Sequence, residues 1–73
     1  MGERRLTNNI RTLRFLADGM TQSELGNHIG VTRQTIAAIE SGKYSPSLEA
    51  AFRISEILGR PLEEVFAWED QSE

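Results

Sequence analysis

Residues 21–40, TQSELGNHIGVTRQTIAAIE, restrict the folds open to this chain more than any other segment. Thr21 and Thr32 favour the N-cap position, and each precedes polar residues followed by apolar ones at helical spacing. Gly30 lies between them and can adopt the left-handed backbone conformation that ends a helix. The segment therefore predicts two short helices joined by a tight turn.

The size and composition of the chain limit its class. Its 73 residues fit a single small domain, residues 1–73, which would bury only about 60% of its unfolded surface. The absence of cysteine excludes disulfides and thiolate metal sites. The sequence contains neither the roughly 20 apolar residues that span a bilayer nor a signal-peptide segment. We therefore expect a soluble, intracellular protein.

Apolar periodicity predicts three further helices and an all-α fold of five helices. A first helix of about ten residues is expected between Asn8 and Gly19. A fourth helix capped by Ser47 and a short fifth one beginning at Pro61 follow the central segment. The apolar residues that define the five helices are Ile10, Leu13, Phe15, Leu16, Leu25, Ile29, Ile36, Ile39, Leu48, Ala51, Phe52, Ile54, Ile57, Leu58, Leu62, Val65 and Phe66.

The charged residues are unevenly distributed. The formal net charge of −3 by itself argues against a nucleic-acid partner, because phosphate binding depends largely on Lys and Arg. Residues 1–44, however, have a charge balance of +2, and residues 45–73 a balance of −5. A domain polarised in this way can present its basic half to DNA, but the same residues can also be ordinary solvated surface groups.

The helix that follows Thr32 is a candidate recognition helix, because two helices joined by a sharp turn can place the second one in the major groove of DNA. Ile36 and Ile39 mark its buried side, while Arg33, Gln34, Ala37 and Ala38 are expected to face outward. The arginine guanidinium matches guanine O6 and N7, and the glutamine amide can both donate to and accept from adenine. A cation is mildly unfavourable near a helix N-terminus, so its position there favours a functional role.

Five motifs together indicate a family. They are Thr21-Gln22-Ser23-Glu24-Leu25, Gly30-Val31-Thr32-Arg33-Gln34-Thr35-Ile36, Ile39-Glu40-Ser41-Gly42-Lys43, Pro46-Ser47-Leu48 and Leu62-Glu63-Glu64-Val65-Phe66. The sequence resembles the Cro/CI-type (XRE) helix-turn-helix family of transcriptional regulators from about residue 9 to residue 67. This resemblance implies a lambda-repressor-like DNA-binding domain. It also implies a short antiparallel sheet in which Arg4-Arg5-Leu6-Thr7 pairs with a strand after the last helix.

The resemblance and the exposed positions of the residues indicate which side chains contact DNA. Base contacts are expected from Arg33, Gln34, Thr35 and Ala38, and phosphate contacts from Gln22, Thr32, Lys43, Tyr44, Ser45 and Arg11. Ala38 replaces the polar residue often found at its position and can contact only a thymine methyl group. The family also implies an ion pair between Arg14 and Glu40, although the connection from Arg14 to Gln22 is one residue longer than usual. Gly26 stands where the family more often has alanine.

The C-terminal segment of residues 62–69 has two interpretations. Its apolar residues Leu62, Val65, Phe66 and Trp68 resemble the dimerisation segment of small stand-alone repressors. The same side chains can instead complete the core of the monomer.

Elsewhere, the single histidine, His28, cannot hold a metal ion alone, so no metal or cofactor is predicted. The chain also lacks a combination of nucleophile, base and oxyanion site, so we do not expect an enzyme.

These observations predict a homodimeric repressor that binds a palindromic operator in double-stranded DNA through the recognition helix. Such a protein would act in a prokaryotic cytoplasm and associate with the nucleoid when bound. The alternative is a protein-interaction module of the same fold, such as a bridging cofactor or an antitoxin subunit, with weak or no DNA binding. The acidic C-terminal half favours this alternative, and a regulatory protein partner is compatible with either function.

Overall fold

The computed structural model describes residues 4–70, with the side chains of residues 5–69. The elements in chain order are β1 (Arg4–Asn8), α1 (Ile10–Leu16), α2 (Gln22–Ile29), α3 (Arg33–Glu40), α4 (Leu48–Leu58), α5 (Leu62–Val65) and β2 (Phe66–Asp70). This architecture confirms the predicted class of five helices with a small sheet. The predicted domain also includes residues 1–3 and 71–73, which lie outside the described residues together with the charges of Glu3 and Glu73. None of the helices described is long and apolar enough to cross a membrane.

Side-chain caps begin the three central helices, as the sequence predicts. The Thr21 hydroxyl accepts a hydrogen bond from the Glu24 N–H at 3.0 Å, and the Glu24 carboxylate accepts one from the Thr21 N–H at 2.8 Å. This reciprocal pair is a capping box. The hydroxyls of Thr32 and Ser47 each accept from the N–H group three residues later, at 3.1 Å. Gly30, with φ of +82°, ends α2 in the left-handed conformation.

All five helices contribute to one apolar core. Its buried residues are Ile10, Leu13, Leu25, Ile29, Ile36, Ile39, Ile54, Leu58 and Val65. Burying one such side chain completely contributes about 1.5–3 kcal/mol, so these residues provide the main stabilisation of the fold. Because Ile36 and Ile39 anchor α3 from its inner side, the opposite side of that helix faces away from the core.

Four apolar residues that the periodicity assigned to helix faces lie at the surface instead. Phe15 and Leu48 are 76% and 71% exposed, and Leu16 and Phe52 are more than half exposed. Helix α1 ends at Leu16, earlier than predicted, and its buried stripe contains only Ile10 and Leu13. Helical periodicity identifies apolar residues, but it does not reveal which of them a neighbouring element covers. The fourth helix was expected to bury Leu48 and Phe52, and this expectation was wrong.

The N- and C-terminal segments close the domain as an antiparallel two-stranded sheet, which confirms the strand pairing implied by the resemblance. In this sheet Leu6 lies opposite Trp68, and Asn8 lies opposite Phe66. Because side chains alternate between the faces of a strand, these four residues belong to one face of the sheet.

Candidate nucleic-acid interface

The side of α3 that faces away from the core has a polar N-terminal part and a small apolar C-terminal part. Arg33 and Gln34 are exposed, and Thr35 is half-buried. The Thr35 hydroxyl lies 3.1 Å from that of Thr32, within hydrogen-bond distance. Ala37 and Ala38, which we expected to face outward, are half-buried. The most accessible side chains of the recognition helix are therefore the two with the richest hydrogen-bonding capacity.

The turn between α2 and α3 packs tightly against Gly26. The Gly26 carbonyl accepts hydrogen bonds from the N–H groups of Gly30 at 2.8 Å and Val31 at 2.9 Å. A Cβ atom at Gly26 would lie only 2.6 Å from the Val31 carbonyl oxygen. A separation this short is a steric clash, so in this structure glycine allows the close approach that sets the position of α3 relative to α2.

A largely buried ion pair joins α1 to the end of α3, which confirms the contact implied by the resemblance. Arg14 donates from Nε to Glu40 Oε2 at 2.6 Å and from Nη2 to Oε1 at 3.1 Å. Its third nitrogen, Nη1, donates to the Met20 carbonyl at 2.7 Å. The side chains are only 14% and 9% exposed. The connection between α1 and α2, which is one residue longer than usual in the family, contains a turn in which Asp18 and Gly19 both have positive φ.

Gln22 extends this ion pair to the recognition surface. Its Nε2 donates to Glu40 Oε1 at 3.1 Å, and its Oε1 accepts from Arg33 Nη1 at 3.2 Å. Arg14, Glu40, Gln22 and Arg33 thus form a continuous hydrogen-bonded chain, which we call the Arg14–Arg33 network. It links three helices and ends at the exposed guanidinium of the recognition helix. The sequence predicts DNA contacts for Gln22 and Arg33, but it does not predict either of the hydrogen bonds that Gln22 makes within the protein.

Asn8 is a positioning residue that sequence reasoning missed. Its Nδ2 donates to the Ile39 carbonyl at 3.0 Å, while its Oδ1 accepts from the Ile10 N–H at 3.1 Å. The residue therefore joins the start of α1 to the last turn of α3. Its amide type is a recognisable helix-start signal, but a partner 31 positions away cannot be inferred from local sequence.

An open depression of about 300 Å³ lies between the N-terminal ends of α1 and α2 and the C-terminal half of α3. Its lining residues are Asn8, Asn9, Arg11, Thr12, Gln22, Ala37, Glu40 and Ser41. The depression brings together Arg11 and Gln22, two of the predicted phosphate contacts. Thr12, which is not among the predicted contacts, adds an exposed hydroxyl.

The remaining phosphate candidates follow the C-terminal end of α3. There Gly42 has φ of +82°, and the Lys43 N–H donates to the Ala38 carbonyl at 2.9 Å. These features cap the helix, and the next residues, Tyr44 and Ser45, are exposed like Lys43. Since Arg33 lies at the other end of α3, the predicted contacts extend along the whole helix.

The helix-turn-helix family model matches residues 10–65, from the start of α1 to the end of α5. This range covers more than half of the chain and contains every residue predicted to contact DNA. The chain belongs to the Cro/CI-type (XRE) helix-turn-helix family. Members of this family are DNA-binding transcriptional regulators rather than enzymes. This confirms the prediction of a DNA-binding regulator and the prediction that the protein is not an enzyme.

Relatives of this XRE-family protein are described as transcriptional regulators or as a transcriptional repressor. An uncharacterised HTH-type transcriptional regulator of Methanocaldococcus jannaschii is 45% identical over 65 residues, which are 89% of this chain and 97% of the relative. YgzD of Bacillus subtilis, also described in these words, is 42% identical over 67 residues, 92% of this chain and 100% of YgzD. The transcriptional repressor RstR of the cryptic phage CTXphi, from Vibrio cholerae, is 37% identical over 59 residues, covering 81% of this chain and 52% of RstR.

The predicted dimerisation residues of this XRE-family protein lie in different environments. Val65 is fully buried in the core, so its side chain cannot contribute to a dimer surface, and this part of the prediction was wrong. It packs inward because α5 closes the core beside α1 and α4. Leu62 and Phe66 are half-buried, whereas Trp68 is exposed.

Within the described residues, His28 belongs to no group of side chains that could hold a metal ion.

Proposed function

We propose that this regulator is a homodimeric repressor that binds a palindromic operator through α3. The observation that most supports this function is the Arg14–Arg33 network, which runs from a buried ion pair to an exposed arginine on the recognition helix. A guanidinium already oriented in the free protein loses less conformational freedom when it binds a guanine.

Base recognition is assigned to the exposed N-terminal part of α3. Arg33 donates two hydrogen bonds to guanine O6 and N7, and Gln34 makes a bidentate contact with adenine. Thr35 can offer its hydroxyl to a base or a phosphate, and Ala38 can contact a thymine methyl group. With only two long polar side chains, each protomer specifies a short sequence.

Phosphate contacts position α3 in the groove. The residues proposed for this role are Gln22, Thr32, Lys43, Tyr44, Ser45 and Arg11, which lie at both ends of the recognition helix and in the polar depression beside it. Gln22 contributes through the N-terminal end of α2, where unpaired N–H groups favour an anion. The basic half of the chain thereby faces the duplex, while the acidic half faces away from it.

A single α3 can read only a small number of bases, and this limit favours a dimer. A two-fold dimer places two recognition helices about 34 Å apart on one face of the duplex, which doubles the specified sequence. The C-terminal segment 62–69 contributes to this contact through Leu62, Phe66 and Trp68. The repressor role is supported by the similarity to RstR, which is described as a transcriptional repressor.

The second candidate function is a protein-interaction module of the same fold. Besides the acidic C-terminal half, the exposed Phe15 and Leu16 on α1 favour it, because they lie outside both the DNA surface and the core. Such a module would use its surface to bind a protein and would have weak or no affinity for DNA.

Selection of bound duplexes from a random pool separates the two functions. The wild-type protein is expected to enrich a palindrome with half-sites about 10 base pairs apart, centre to centre. Arg33→Ala should lose the guanine preference and Gln34→Ala the adenine preference. Arg53→Ala, which removes an exposed arginine from α4, is the matched control and should enrich the wild-type site. A wild-type protein that enriches no sequence would contradict the repressor and favour the interaction module.

A further inference from the structure

The last turn of α1 exposes two consecutive large apolar side chains. Phe15 is 76% exposed and Leu16 is 61% exposed, while Ile10 and Leu13 occupy the inner side of the same helix. Neither exposed residue takes part in the contacts proposed with DNA. A single exposed apolar residue is ordinary on a protein surface, so the pair is informative only if the surface beside it extends it.

An open depression of about 350 Å³ extends this surface toward α2. Its lining residues are Ala17, Asp18, Met20, Glu24 and His28. Ala17 directly follows Leu16, and Ala17 and Met20 also pack against the core, so they give the depression an apolar floor. The other three residues are exposed and form a polar rim. We call the exposed pair and this depression together the α1–α2 surface.

The charge on the α1–α2 surface is negative. Residues 15–32 include Asp18 and Glu24 but no Lys or Arg. Arg14, the cation that precedes them, is largely buried and paired with Glu40. Among the described residues, neither Asp18 nor Glu24 forms an ion pair. The surface therefore combines exposed apolar side chains with two carboxylates that have no cation beside them.

The α1–α2 surface is separate from the surface proposed to face DNA. It has no lining residue in common with the polar depression beside α3. Helix α2 contributes Gln22 to that depression and Glu24 to this one, because residues two positions apart on a helix do not face the same way. Its carboxylates would also repel phosphate groups. The occupant of this surface is therefore not a nucleic acid.

A second copy of the chain is also a poor occupant. In a two-fold dimer the same patch meets itself, so the two acidic rims would face each other. Like charges brought together in an interface are unfavourable. The charge of the surface instead favours a partner that brings cations next to an apolar face.

We propose that the α1–α2 surface binds a basic amphipathic helix of a partner protein. The apolar side of that helix packs on Phe15 and Leu16, and Lys or Arg side chains along its border contact Asp18 and Glu24. Apolar anchors at helical spacing are the usual means by which such a helix docks, and complementary charges set its orientation. This site adds to the proposed DNA binding and does not depend on it.

An NMR titration of the isotope-labelled full chain without DNA tests the proposal. The probe is a synthetic amphipathic helix built from leucine and lysine, and the comparison peptide has glutamate in place of every lysine. The lysine peptide should shift the amide signals of residues 15–28, whereas the glutamate peptide should not bind, because its charge has the same sign as that of the surface.

Substitutions on the surface should weaken binding of the lysine peptide. Phe15→Ala and Leu16→Ala should each raise the dissociation constant by about tenfold, because each removes an apolar contact. Asp18→Asn and Glu24→Gln should each raise it by about two- to fivefold, as expected for exposed charge contacts. Asparagine tolerates the positive φ of residue 18, and glutamine can retain the capping box, so the two charge variants keep the local structure.

The chain offers matched controls on another helix. Phe52→Ala and Leu48→Ala make the same changes at exposed positions of α4, and they should bind the lysine peptide like the wild type. Circular dichroism verifies the helical content of every variant. Phe15→Ala and Leu16→Ala should also keep the operator affinity of the wild type, which separates loss of the partner site from loss of DNA binding.

Three results would overturn the proposal. The first is that Phe15→Ala and Leu16→Ala bind the lysine peptide as tightly as the α4 controls, or that the shifted signals lie in residues 45–69. The second is equal binding of the lysine and glutamate peptides. The third is a lower mass for the α1 variants than for the wild type in sedimentation equilibrium, which would make the surface a contact between copies.

These outcomes are distinct from those that test DNA binding. A protein that binds the lysine peptide on the α1–α2 surface but enriches no DNA sequence would retain the partner site and lose the repressor function. A protein that enriches a palindrome but does not bind the lysine peptide would retain the repressor function, and the partner site would be wrong.

Discussion

Two arginine–glutamate pairs with the same distance differ, at the residue scale, in how far they are exposed to water. Arg14–Glu40 and Arg53–Glu49 both have a nitrogen–oxygen distance of 2.6 Å. The first is largely buried, whereas the side chains of the second are 53% and 74% exposed. Water weakens the exposed pair, but an unpaired carboxylate in the buried position would be strongly unfavourable.

Arg14→Ala is therefore expected to lower the free energy of unfolding by about 3 kcal/mol, because it leaves the Glu40 carboxylate buried without its cation. Arg53→Ala should lower it by less than about 1 kcal/mol. Urea unfolding followed by circular dichroism measures both values. Similar losses for the two variants would show that burial of the Arg14 pair does not matter.

Lys43 is expected to contribute to DNA affinity without contributing to sequence preference. Lys43→Ala should weaken binding to all duplexes alike and reduce the slope of log affinity against log salt concentration by about 2, because each protomer of the dimer loses one phosphate contact. Fluorescence anisotropy titrations at several salt concentrations measure this slope. Arg60→Ala, which removes a cation from the acidic half, is the control and should leave the slope unchanged. A loss confined to one sequence would contradict the phosphate role.

At the element scale, the position of α3 depends on a glycine rather than on the larger residue common in the family. The clash between a Cβ at Gly26 and the Val31 carbonyl involves backbone, which a side-chain rotation cannot relieve. Replacement by alanine would improve the intrinsic helix propensity of α2 by about 1 kcal/mol. Overpacking typically costs about 1–3 kcal/mol, so the two effects act in opposite directions.

We expect overpacking to dominate, so that Gly26→Ala lowers the free energy of unfolding and weakens DNA binding by displacing α3. Asn27→Ala, at the next and exposed position of α2, should instead leave both properties unchanged or slightly improved. Thermal unfolding and anisotropy titrations compare the two variants. If Gly26→Ala proves as stable as Asn27→Ala and binds DNA equally well, the turn does not need the close approach.

The elements differ in how well their sequences predict them. The capping residues Thr21, Thr32 and Ser47 and the terminator Gly30 were predicted correctly, because caps act through hydrogen bonds and backbone conformations within a few residues. The buried face of α4 was predicted less well. Whether Phe15 or Phe52 is covered depends on elements distant in sequence, which local periodicity does not contain.

At the scale of the whole molecule, contacts distant in sequence determine the geometry of the recognition surface. The Arg14–Arg33 network crosses three helices, and Asn8 joins β1 and α1 to the end of α3. The family resemblance predicted the ion pair and the sheet, but the bonds made by Gln22 and Asn8 became apparent only in the folded structure. Side-chain amides can donate to many partners, so their identity alone does not specify which one they contact.

The shape of the molecule is compatible with the proposed dimer on DNA. Its principal extents are 40, 21 and 19 Å. Two such bodies related by a two-fold axis can hold their recognition helices about 34 Å apart, the distance between successive major grooves on one face of the duplex.

The central claim is that Arg33 reads a guanine, and a double-mutant cycle on the selected operator tests it most directly. Anisotropy titrations would measure the affinity of the wild type and of Arg33→Ala for the operator and for a version with the contacted guanine replaced. We predict that the wild type loses about 1–3 kcal/mol on base replacement, whereas Arg33→Ala binds both duplexes equally. If Arg33→Ala discriminates against the replaced base as strongly as the wild type, Arg33 does not read that position and the account of the recognition helix is wrong.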